Sequence, residues 1–94
     1  MFPFDMPENT MSIACRHIFN EGKPILEVYH DEDGIWQFVC DDNHTDEKDG
    51  MVVCLKDIYE HDPSVAPLSK LPRGMYAKRA SKDAEWINDI IISS

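Results

Sequence analysis

The stretch Ile25-Leu26-Glu27-Val28-Tyr29-His30-Asp31-Glu32-Asp33-Gly34-Ile35-Trp36-Gln37-Phe38-Val39-Cys40 decides how this chain folds. Ile25 to His30 and Trp36 to Cys40 are rich in β-branched and aromatic residues, and Asp31-Glu32-Asp33-Gly34 separates them, which predicts a β-hairpin. Asp33-Gly34 supplies residue types that tolerate the positive φ of a tight turn. In the second strand the period of two puts Trp36, Phe38 and Cys40 on one face and Gln37 with Val39 on the other. The first of these faces is the expected core.

Upstream, Ser12 to Cys15 reads as a short strand, and the turn formers in Asn20-Glu21-Gly22-Lys23-Pro24 connect it to the hairpin. Residues 1–11 contain two prolines and no usable periodicity, which predicts an extended or frayed arm. Beyond the hairpin, Asp41 to Gly50 is polar throughout and reads as a loop. Met51 to Leu55 reads as another strand that runs into a short helix around Lys56 to His61. Asp62-Pro63 offers a cap and a first-turn proline for a further helical turn, and Pro67 and Pro72 limit any helix beyond it. Gly74 marks a turn, Met75 to Arg79 a further strand, and Asp83 to Ile92 a last short element anchored by Trp86 and the isoleucines. The expected fold is α+β, a small antiparallel sheet with a few short helices, as one domain over 12–94 behind the arm.

The 94 residues suffice for one modest core, with little interior left for an enclosed active site. The longest apolar run, Ile90 to Ile92, is far too short for a membrane span. Met1 to Glu8 lacks the basic and apolar regions of a secretory signal, so a cytoplasmic location is the expectation. The three cysteines, Cys15, Cys40 and Cys54, form no CxxC pair. With apolar neighbours they read as reduced core thiols rather than a disulfide frame.

The net charge of −9 is unevenly distributed. From Glu27 to Asp49 nine acids face the single base Lys48, a local charge of −8, whereas Lys70, Arg73, Lys78, Arg79 and Lys82 form a run of +5 with no acid among them. Such a field steers a cationic partner and repels nucleic acid and anionic membrane. The alternative is plain solvated surface, with the basic run folding back to neutralise part of the acidic one.

Catalytic motifs are missing from the sequence: there is no nucleophile elbow, P-loop or dinucleotide fingerprint. Carboxylates in a solvated loop stay ionised, lacking the burial that raises a pKa for acid catalysis. The chain is therefore not expected to be an enzyme. Cys15, His17, Cys40, His44, Cys54 and His61 could in principle supply a zinc site, but their spacing matches no standard module and they would have to be gathered from three strands and two loops. For calcium, the run from Asp41 has Asp46 where an EF-hand needs glycine and Val52 at the twelfth position. No metal and no cofactor are expected, with a structural zinc protein kept as an alternative.

Taken in order, His30 to Cys40, Asp62-Pro63-Ser64, Leu71-Pro72-Arg73-Gly74, Ala77-Lys78-Arg79 and Trp86 resemble a bacterial α+β family of largely uncharacterised proteins, some of them predicted immunity proteins of polymorphic toxin systems. The resemblance covers about Cys15 to Trp86, and Gly34, Trp36, Gln37, Phe38, Asp62, Pro63, Gly74, Arg79 and Trp86 match its pattern. Most of these have a structural explanation; Gln37 and Arg79 are the better candidates for a role beyond packing, because covered polar side chains need partners. The resemblance implies a small cytoplasmic protein that neutralises a cognate toxin. The expected partner-binding residues are Asp31, Glu32, Asp33, Asp41, Asp42, Asp46, Glu47 and Asp49, meeting a basic protein such as a toxin domain. Nucleic acid and membrane are not expected partners. The competing expectation is an accessory or regulatory interaction domain, monomeric or homodimeric, that uses apolar surface around Ile90 to Ile92.

Overall fold

The computed structural model describes residues 3–4, 6–40 and 50–90. Strand β1 (Met11–Cys15) leads directly into the one-turn helix α1 (Arg16–Asn20). The hairpin comes next as β2 (Glu27–His30) and β3 (Trp36–Val39). Then come β4 (Gly50–Cys54), α2 (Leu55–His61), a 3-10 helix (Pro63–Leu68), β5 (Met75–Lys78) and β6 (Ile87–Ile90). Expected and observed ends differ by one residue at several places. Leu55, for example, begins α2 instead of closing β4, and Gly50 belongs to β4 instead of the loop.

The six strands form a single sheet in the order β4-β1-β3-β2-β5-β6. The fold is α+β, but the purely antiparallel sheet expected above is corrected, because β1 runs parallel to β3 with Ile13 opposite Gln37 and Ala14 opposite Phe38. The other four pairings are antiparallel. The hairpin joins β1 through β3 because β5 occupies the other edge of β2. Parallel neighbours need a crossover, and α1, the segment 21–26 and β2 together provide it.

The hairpin turn closes by hydrogen bonds from the Gly34 amide to the Asp31 carbonyl (2.9 Å) and from the Asp31 amide to the Ile35 carbonyl (2.9 Å). Gly34 has φ +93, a conformation that other residues adopt at a cost. Trp36, Phe38 and Cys40 are all buried, as their shared face requires, and Gln37 and Val39 are half-buried on the opposite face. Trp36 is the hub: Phe4 meets it edge-on at 5.2 Å, His30 stacks on it at 3.9 Å, and its indole N–H donates to Met6 Sδ at 3.2 Å. Full burial of a large apolar side chain contributes about 2–3 kcal/mol.

The described part of the N-terminal segment packs on the core through Phe4 and Met6. Backbone bonds from Leu55 to the Thr10 carbonyl and from Lys56 to the Glu8 carbonyl tie it to α2, and Met11 is already strand. Ile18 of α1, Leu55 and Ile58 of α2, and Val65 and Leu68 of the 3-10 helix cover the core face of the sheet. None of the cysteines is in a disulfide; Cys15 and Cys40 are buried, whereas Cys54 is only half-buried and so departs from the expected core position.

Candidate functional site

At the hairpin tip, Glu32 and Asp33 are exposed and Asp31 is half-buried. The tip is held from within: Asp31 Oδ2 accepts from Gln37 Nε2 at 3.0 Å, and Asp33 Oδ1 accepts from the Ile35 amide at 3.1 Å. Arg73 crosses the turn so closely that a Cβ on Gly34 would lie 3.1 Å from its guanidinium carbon, and Glu32 lies beside Gly74. Lys78 of β5 stands opposite Glu27 of β2. Part of the basic run therefore does return to the acidic hairpin. Asp41, Asp42, Asp46, Glu47 and Asp49, with His44, lie outside the described residues.

Asp62, Pro63, Arg79 and Trp86 converge at the start of the 3-10 helix. Asp62 caps that helix, Oδ1 accepting from the Ser64 amide at 3.1 Å and from the Ser64 hydroxyl at 2.5 Å, and Pro63 occupies the first helical position. Arg79, 6% exposed, donates from Nε to the Ile25 carbonyl, from Nη1 to Ser64 Oγ and the Lys82 carbonyl, and from Nη2 to Asp62 Oδ2 at 3.2 Å. Its guanidinium lies 4.3 Å from the Trp86 ring, whose N–H donates to the Ser64 carbonyl at 2.9 Å. Charge-assisted bonds of this kind, out of water, make a strap that joins β5, the 3-10 helix and the segment before β6. Arg79 is thus spent on the interior of the protein, and Gln37 on fixing Asp31.

A third cluster lies where β1 and β3 end. Cys15 closes β1, His17 is the second residue of α1, and Cys40 comes directly after β3. Cys15 Sγ is 2.9 Å from His17 Nδ1 and 3.4 Å from Cys40 Sγ, and one ligand atom from each residue lies within 4.8 Å of the others. The other ring nitrogen, His17 Nε2, faces Glu21 Oε2 at 3.4 Å, one helical turn on. Of the six zinc-ligand candidates in the sequence, these three are brought together among the described residues. Cys54 stands beside Met11 at the far end of β1, and His61 packs on Phe19 at 4.7 Å.

No family model, no curated protein and no solved structure matches the chain. Sequence reasoning passed over His30, which is buried, with Nδ1 2.7 Å from the Leu71 carbonyl and Nε2 without a hydrogen-bond partner among the described residues. Its position at the start of an acidic turn disguised a core residue. The period of two along β2 is the signal that finds it, since it shares a face with the buried Val28.

Proposed function

We propose that this protein binds and neutralises a basic protein partner, as an immunity-type inhibitor in the cytoplasm, using the acidic hairpin tip together with the acidic segment 41–49. The observation that carries this reading is the outward placement of Glu32 and Asp33 on a turn fixed by its own hydrogen bonds, in a chain of net charge −9. A fixed acidic protrusion meets a cationic surface with little ordering cost, and its field accelerates encounter. Among the described residues no helix is long and apolar enough to cross a membrane.

The test is co-purification with the product of the adjacent reading frame, with association kinetics measured on the complex. A stable complex is expected whose association rate falls with added salt. It should fall at least about tenfold when Glu32, Asp33, Asp42, Asp46 and Glu47 are changed to lysine. An unchanged rate in a folded variant would sink the proposal.

Exposed Ile87 and Ile90 on the edge strand β6 support the second reading, assembly through apolar surface. An edge strand offers unpaired backbone groups and these isoleucines to a second chain. Light scattering of the eluting protein separates the two readings, since a strict monomer excludes the homodimer.

A further inference from the structure

We propose that Cys15, His17 and Cys40 form a zinc site, independent of partner binding. The parallel pairing of β1 with β3 is what creates it. Ala14 lies opposite Phe38, so Cys15, which closes β1, and Cys40, which directly follows β3, come at the same end of the parallel pair, and α1 sets His17 beside Cys15. An antiparallel pairing would have put the two thiols at opposite ends.

Geometry and chemistry agree on the metal. Two thiolates at about 2.3 Å and one imidazole at about 2.0 Å from a tetrahedral zinc stand about 3.5–3.8 Å from one another. The observed 2.9 and 3.4 Å need an opening of about half an ångström at strand ends, where side chains can give. Thiolate and imidazole donors select zinc over calcium or magnesium, which take oxygen. Two thiolates also neutralise a divalent ion, which removes the cost of burying either charge alone. With Nδ1 towards the metal, His17 Nε2 faces Glu21 Oε2 at 3.4 Å, the placement a carboxylate has in the carboxylate–histidine–zinc arrangement that orients such ligands. Three protein ligands leave one tetrahedral position for water. On binding, each cysteine thiol exchanges its proton for the metal, so zinc uptake releases about two protons and weakens as pH falls.

The experiment uses the whole, untagged, reduced chain, titrated with Co²⁺ alone and then with Zn²⁺. The expected result is one Co²⁺ per chain, with near-ultraviolet thiolate-to-cobalt charge transfer and the visible bands of a tetrahedral ion, displaced by Zn²⁺. The charge-transfer band should vanish in the double variant Cys15→Ser/Cys40→Ser and persist in Cys54→Ser. If the double variant does not fold, the exposed Glu21→Ala gives the second reading, with affinity expected about tenfold to a hundredfold lower. A wild-type protein that gives no charge-transfer band overturns the site. So does a band that survives loss of both cysteines or depends on Cys54.

Discussion

Arg79 shows how a single polar residue can hold several elements of a fold together. Its guanidinium reaches four separate acceptors and the Trp86 ring, and its side chain is almost wholly buried. Arg79→Met leaves the Asp62 carboxylate without its counter-charge, a loss expected to cost about 3–5 kcal/mol. That is a large share of the roughly 5–15 kcal/mol that holds a domain together. Arg79→Lys should still lose at least about 2 kcal/mol, because one ammonium cannot reproduce the planar fork. Urea denaturation monitored by tryptophan fluorescence checks both. Tyr29 gives a prediction in pH. Burial pushes its phenol well above the ordinary range, and the hydrogen bond to Glu27 Oε1 and that carboxylate's charge add to the effect. The native state therefore keeps a proton that the unfolded chain releases near pH 10. The stability this contributes is full below about pH 10 and declines as pH rises beyond it. Tyrosinate absorbance should show a late-ionising phase in the native protein that Tyr29→Phe removes.

Among the elements, the order of strands sets where the protein opens. β3 and β2 are paired on both sides, whereas β6 bonds only to β5 and all four of its residues are exposed. Amide exchange should therefore be slowest in β2 and β3 and fastest in β6. Protection of β6 equal to that of β3, measured residue by residue, would contradict this order. The elements also differ in how legible they are. The hairpin announces itself through two apolar runs around Asp33-Gly34, and the 3-10 helix through Asp62-Pro63, because in both cases the local backbone requirement selects the residue type. α1 carries no such signal. It is a single turn of five residues with no side-chain cap at Cys15, and it exists because Ile18 finds a buried place against the sheet. Such a helix is stabilised by packing rather than by propensity, so no local pattern predicts it.

For the molecule as a whole, charge and chain direction divide what could be known beforehand. The acidity, the single modest core, the inward face of Trp36, Phe38 and Cys40 and the turn at Gly34 are all legible in the sequence, since each depends on composition or on residues close together in the chain. The return of Arg73 and Lys78 to the acidic hairpin could be stated only as one of two alternatives, because neutralisation depends on which strands become neighbours. The same holds for the thiol–imidazole cluster. Cys15 and His17 are close in the chain, but Cys40 joins them 25 residues after Cys15 only because β3 lies parallel to β1. Nothing in the period of two distinguishes a parallel neighbour from an antiparallel one; that depends on how the crossover carries the chain from β1 to β3. Local pattern thus settles which faces of the hairpin are buried, whereas the packed fold settles which distant donors meet, because contact between remote strand ends is a property of topology and not of any short run of residues.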